Sequence, residues 1–243
     1  MVKKITAVTK ARVNLPTDVN AEMAAEIAKL QSRISAPSGD RVQATQSKTF
    51  KFPDGTEVAT FQCVIVDFVA ANMYYEQAYD RNNITPPLCY AANLEPMDLA
   101  PTKAAPEPQA ETCNECPHNK FGSAGKGKAC QNTRLLGIIK PDADVSDEML
   151  VVKVSPTAIK AFDGYISSVA RTYNLPVRGV ITEIAFNPNV EFASMTFKAI
   201  GPAPADTVLL AHSRKLEAQT RLLQDPDFTS QAAEPAPKKK ARR

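Results

Sequence analysis

Phe61-Gln62-Cys63-Val64-Ile65-Val66-Asp67-Phe68-Val69 is the stretch on which the fold turns. β-Branched and aromatic residues dominate it, and both alternating faces are largely apolar. That is the pattern of a strand covered on two sides. The run is read as part of one long strand, roughly Glu57 to Ala70, ending before Met73-Tyr74-Tyr75 and central in its sheet. Just upstream, Lys48-Thr49-Phe50-Lys51-Phe52 puts Phe50 and Phe52 on one face, and Pro53-Asp54-Gly55-Thr56 is a turn signal. The two runs predict a β-hairpin. Cys63, inside the apolar run, is read as an inert buried thiol.

Further out, Arg134 to Ile139 and Met149 to Val154 read as strands. Ser155-Pro156 opens a helix whose apolar residues Ile159, Phe162, Ile166, Val169 and Tyr173 recur at helical steps. Asn174-Leu175-Pro176 stops it. Val180 to Phe186 and Val190 to Ile200 pair about the turn Asn187-Pro188-Asn189, and a last helix is expected from about Asp206 to Gln224. At the other end, Val19, Met23, Ile27, Leu30 and Ile34 outline an N-terminal amphipathic helix. The predicted fold is mainly β with flanking helices. A helix between the third and fourth strands of a five-stranded barrel is the connectivity of an OB-fold-like antiparallel barrel. The expected organisation is an extension over 1–44 and a barrel core over 45–200. Residues 76–132 form a loop and zinc-ribbon-like insertion in that core. A C-terminal helix over 201–230 and a disordered basic tail over 231–243 complete the chain.

Composition narrows the function. The chain has 243 residues, 44% of them apolar, which excludes wholesale disorder. No apolar run approaches the length of a membrane helix. No apolar stretch follows Lys3-Lys4, so no signal peptide is expected and the predicted location is cytoplasmic. The net charge is +3, yet residues 231–243 alone carry three Lys and two Arg against one Glu, leaving −1 for the rest. The body is not a generally basic nucleic-acid binder, and such binding must come from local patches. Trp is absent, so a stacking surface must use Phe and Tyr.

Five cysteines without a signal peptide argue against a disulfide framework. Cys113-Asn114-Glu115-Cys116 is a CxxC knuckle whose spacing lets two thiolates converge on one ion. Cys130 follows after a Gly/Lys loop, and Cys89 precedes after Pro86-Pro87. A four-cysteine structural zinc site from Cys89, Cys113, Cys116 and Cys130 is the preferred reading. His118 is the alternative fourth ligand, because the 89–113 separation is long for a compact ribbon. A thioredoxin-like redox pair and unligated thiols are the rivals, but Pro117-His118-Asn119-Lys120-Phe121-Gly122 does not continue as a redox-motif helix. Gly122 to Ala129 fits GxxxxGK, but Ala129 stands where a P-loop needs Ser or Thr, so it is read as a flexible loop tied at both ends. Its lysines and glycines suit a phosphate backbone, and an ordinary solvated loop is the plainer reading.

Three segments carry a resemblance. They are Pro86-Pro87-Leu88-Cys89, Cys113 through Ser123, and Gly125-Lys126-Gly127-Lys128-Ala129-Cys130. Together they resemble single-stranded-DNA-binding proteins of tailed bacteriophages that carry a zinc-bearing insertion, and residues 155–200 are also similar to that family. The resemblance implies an OB-fold, zinc held by the four cysteines, and a role in DNA replication, recombination or repair. Many phage and bacterial proteins of this function end in an acidic tail that recruits replication partners. This chain departs from them by ending Lys238-Lys239-Lys240-Ala241-Arg242-Arg243.

The expected mechanism is non-catalytic. Lys120, Lys126, Lys128 and Arg134 would follow the sugar-phosphate backbone, and bases would stack on Phe50, Phe52, Tyr74, Tyr75 or Phe121, though each ring also has a core reading. The contrasting expectation is a zinc-stabilised protein-interaction subunit that docks on a host or phage polymerase. An enzyme is not expected: only two His occur, and no Ser/His/acid or carboxylate constellation stands out by spacing.

Overall fold

A computed structural model describes residues 40–77 and 85–228. The chain divides into two units at Pro37/Ser38, and all described residues belong to the second. The expected N-terminal helix and the basic tail lie outside the described residues.

The second unit is mainly β, a strongly curled half-barrel sheet with a few helices. Its strands are β1 (Arg41–Ala44), β2 (Phe50–Lys51), β3 (Glu57–Val58), β4 (Thr60–Tyr74), β5 (Cys89–Asn93), β6 (Cys130–Ile139), β7 (Leu150–Val154), β8 (Val180–Phe186) and β9 (Met195–Pro202). Among the described residues three α-helices accompany them: α1 (Ile159–Tyr173), α2 (Ala205–Ser213) and α3 (Lys215–Leu222). The sheet order is β3-β2-β1-β7-β6-β4-β8-β9, with β5 also paired to β4.

The apolar run behaves as its pattern demands. Cys63, Val64, Ile65 and Val66 are all buried, on both faces of β4. β6 takes one edge of β4 from Val64 to Tyr74. The other edge is shared: β8 pairs with Thr60–Cys63, and β5 with Ala70–Tyr74. A bulge falls between Ile65 and Asp67. There the Asp67 carboxylate accepts from the Phe68 amide at 2.9 Å and from Gln219 Nε2 on α3 at 2.7 Å. Bulges bend and twist a strand, which is how one strand serves two parts of a curled sheet.

The predicted turn at Pro53–Thr56 is present. The Gly55 amide donates to the Phe52 carbonyl at 3.0 Å, and the Thr56 amide to the Asp54 carboxylate at 2.8 Å. α1 buries Phe162 and Val169 of the predicted spacing, leaves Ile159, Ile166 and Tyr173 half-buried, and buries Tyr165, which the spacing did not include, with Pro156 opening the preceding 3₁₀ turn. Below it Phe50, Phe162, Ile65, Leu136 and Ile184 are fully buried in the main core. Tyr165 joins them through its hydroxyl, 2.6 Å from Thr182 Oγ1, and burial pushes the phenol up to about 12.

Several expectations are corrected. β4 runs to Tyr74 rather than Ala70, because β5 emerges from a stretch that reads as irregular and pairs with its far end. Arg41–Ala44, placed in the N-terminal extension, is a strand of the core, and its pairing with β7 is parallel, so the sheet is not wholly antiparallel. β9 begins at Met195 rather than Val190, since the Asn187 amide closes a loop onto the Ser194 carbonyl at 2.8 Å. The last helix is two helices, α2 and α3, broken at Arg214. The Arg214 guanidinium turns away to donate to the Asp147 and Val145 carbonyls at 2.6 and 2.7 Å. These helices are not an appendage, because Ala211, Ala218 and Leu222 are buried against the sheet.

Lastly, Phe50 does not offer a stacking surface. It is fully buried, stacked on Phe186 at 4.3 Å and edge-on to Phe61 at 4.9 Å. Phe50→Ala is therefore expected to lower unfolding free energy by about 3–5 kcal/mol, as large-to-small core substitutions do. A chemical denaturation midpoint equal to that of the parent chain would place the ring outside the core.

Candidate metal centre and nucleic-acid interface

Two strands begin beside Tyr74. β5 starts with Cys89 opposite Tyr74 on one edge, and β6 starts with Cys130 opposite it on the other. The knuckle then folds over them. The Cys113 amide donates to the Leu99 carbonyl at 2.9 Å, and Asn119 Nδ2 to the Cys113 carbonyl at 2.7 Å. Pro117–Asn119 is a 3₁₀ turn rather than the start of an α-helix. The long 89–113 separation is thus spanned by strand pairing, a feature that spacing alone hides.

Cys89, Cys113, Cys116 and Cys130 are all buried and line one enclosed cavity of about 10 Å³. Asn72, Tyr74 and Asn119 are among the other residues of its wall. His118 does not line it: its ring stacks on Tyr74 at 4.3 Å and 22°. Among the described residues, no group of three or more His, Cys, Asp or Glu side chains is placed so that it could hold a metal ion. The thiols nevertheless sense each other. Burial pushes the Cys130 thiol up to about 12, and the neighbouring Cys113, Cys116 and Cys89 sulfurs add to that rise. Burial also raises Cys113, with Cys89 and Cys116 adding to it and an Asn72 hydrogen bond opposing it. Cys89 is raised by burial, opposed by the Gln109 amide. Cys63, by contrast, is isolated in the core and raised by burial alone.

Between Cys116 and Cys130 the Gly/Lys segment is a small ordered hairpin. The Gly122 amide donates to the Gly127 carbonyl at 2.9 Å, and Gly127 returns a bond to Ala124 at 3.2 Å. Gly122 and Gly125 have φ of +93° and +62°, which a side chain would oppose. Ser123 Oγ donates to the Lys120 carbonyl at 2.7 Å and accepts from the Ala129 amide at 2.9 Å. A strand, β6, follows this loop where a P-loop has a helix. Lys120, Lys126 and Lys128 are exposed on it. Lys128 Nζ donates to Asn119 Oδ1 at 3.1 Å.

A groove of about 1060 Å³ separates this hairpin from the N-terminal half of α1. Asn72, Asn132 and Arg134 line it from β4 and β6, where Asn132 Nδ2 donates to Asn72 Oδ1 at 2.7 Å. Lys128 and Phe121 reach it from the hairpin, and Lys160 and Asp163 from α1. The Phe121 ring is 81% exposed. The Arg134 side chain is 14% exposed and is held by Asp163 at 3.2 Å.

Of the residues predicted for nucleic-acid contact, Phe121, Lys128 and Arg134 meet in this groove. Lys120 and Lys126 share the hairpin without lining it. Tyr74 faces the thiols and His118 instead. Tyr75 is half-buried beside Met73, its phenol raised by burial, and Phe52 packs edge-on to Phe61 at 5.2 Å. Asn72 and Lys160 were not foreseen. Asn72 lies where the strand was expected to have ended, and Lys160 lies on a helix read only for its apolar face.

Asn72 is 3% exposed and its Oδ1 accepts from Asn132. Asn72→Leu, which leaves Asn132 Nδ2 without that acceptor, is expected to cost about 1–3 kcal/mol in unfolding free energy. A denaturation curve unchanged by that substitution would remove the amide from the supports of the site. In comparisons with protein-family models, curated proteins and solved structures, the chain matches none.

Proposed function

We propose that the protein binds single-stranded DNA without catalysis, along the groove between the cysteine-bracketed hairpin and α1. One observation carries the reading. Three cations (Lys128, Arg134 and Lys160), a set of amide side chains and an exposed ring, Phe121, converge on one groove of about 1060 Å³. Cations suit phosphates, the ring suits a base of any identity, and amides suit base edges. The curled sheet, with a helix between β7 and β8, is read as an OB-like barrel, a fold that presents such a groove. Its resemblance to phage single-stranded-DNA-binding proteins points the same way, toward replication, recombination or repair.

The same reading gives zinc to Cys89, Cys113, Cys116 and Cys130. Four buried sulfurs around one small cavity, with no carboxylate lining it, form a donor set suited to a closed structural site. When bound, the ion would hold the thiols as thiolates and lend its binding energy to the fold. Cys130 starts the strand that carries Arg134, and Cys116 precedes the hairpin that carries Phe121 and Lys128. The thiol cluster therefore positions groove residues from both sides.

Titration of a fluorescent oligo-dT at two salt concentrations tests the binding. Single-stranded DNA loses about 0.7 in log–log slope per phosphate neutralised, so Lys128 and Lys160, with Arg134 already paired to Asp163, predict a slope near −1.4. Phe121→Ala is expected to cost about 1–3 kcal/mol of binding, the worth of one stacked base. Absence of salt-sensitive binding would move the reading to a protein-interaction module, for which Met97 and Phe121 stand exposed near the cysteines. Metal content tests the other half. One zinc per chain is expected, with four thiols becoming reactive on chelation while Cys63 stays protected. Two released thiols would leave the knuckle alone.

A further inference from the structure

We propose that Asp163 is a built-in competitor for the DNA phosphate at Arg134, and so sets the affinity of the groove. The inference rests on the nucleic-acid reading above and assigns a regulatory role within that site. Asp163 is the single carboxylate among the described residues lining the groove, against three cations. It sits at the groove end of its ion pair, 3.2 Å from Arg134 NH2. The two partners differ sharply in freedom. The Arg134 side chain is 14% exposed, with NH1 directed to the Thr133 carbonyl at 3.4 Å, whereas the Asp163 side chain is 49% exposed.

The guanidinium is therefore the buried, anchored partner, and the carboxylate is the exposed one. A guanidinium binds carboxylate and phosphate with the same geometry, so the two ligands compete for the same N–H groups. A strand entering the groove must displace Asp163 or accept its repulsion. The counterion arithmetic gives the device a signature. In the free protein Arg134 is already neutralised by Asp163, so its contact with a phosphate releases no net DNA counterion. With the carboxylate removed, that contact counts as one full neutralisation.

The test uses the full chain, oligo-dT and a salt series. Asp163→Asn is expected to tighten binding about two- to five-fold, the range of one exposed ion pair. It should also steepen the log–log salt slope by about 0.7. Equal or weaker binding with an unchanged slope overturns the proposal and makes Asp163 a positioning residue for Arg134. The gain must also depend on Arg134. Asp163→Asn placed on Arg134→Met should add nothing, and an equal gain there would reduce the effect to general charge removal and overturn the proposal. Salt-insensitive wild-type binding overturns the groove's function and this inference together. A wild type that binds while Asp163→Asn brings no gain overturns this inference alone. If Asp163→Asn melts early, Asp163→Ser carries the same comparison, because the salt slope does not depend on the folded fraction.

Discussion

No single neighbour satisfies the fifteen residues of β4. Its backbone needs partners on both edges and its apolar side chains need cover on both faces. β6 pairs with β4 from Val64 to Tyr74, while β8 pairs with Thr60–Cys63 and β5 with Ala70–Tyr74. The division is possible because the bulge at Asp67 bends the strand between them. Helix α1 then covers one side of the curl, and α2 and α3 cover another, with Gln219 of α3 reaching the bulge carboxylate itself. Close fit follows from this crowding. A Cβ on Gly137 of β6 would stand 3.1 Å from Met149 Sδ and 3.4 Å from Ala218 Cβ, so α3 lies against bare backbone there.

The candidate site grows from the end of the same strand. Tyr74 has Cys89 on one side and Cys130 on the other, and Asn72, two residues back, faces both the thiol cavity and the groove. The sulfur cluster and the groove are thus neighbours through shared walls, since Cys113 and Cys130 line both. Cys130 and Arg134 stand four residues apart on β6. This places a chemistry of buried sulfurs and a surface of exposed cations on one rigid support.

Much of this was legible in the residues. The two-sided apolar run marked β4 as central, the 3-4 spacing of Ile159, Phe162, Ile166 and Val169 marked α1, and Pro53–Thr56 marked its turn. What escaped was long-range pairing. Cys89–Asn93 is only five residues long and sits among prolines, so it carries no period to read. Arg41–Ala44 gains its strand character from a parallel partner more than a hundred residues away. The rings show the same limit. Phe50 and Phe121 are the same residue type, yet one is fully buried and the other 81% exposed, and only three-dimensional neighbours separate them. Clustering of the cysteines followed from spacing for Cys113 and Cys116, whereas Cys89 needed the strand to bring it there.

The two ends of β4 have different guardians. Near Thr60 the strand lies under aromatic rings, with Phe50, Phe61 and Phe186 packed together. Near Tyr74 it lies between Cys89 and Cys130, whose thiols are open to chemical change, beside a cluster that includes Met73 and Tyr90. Local opening follows the weaker guardian. Alkylation or oxidation of the thiols would let the strand fray from Tyr74 inward, so its amides would exchange with solvent in order along the chain, and the aromatic end would keep its protection.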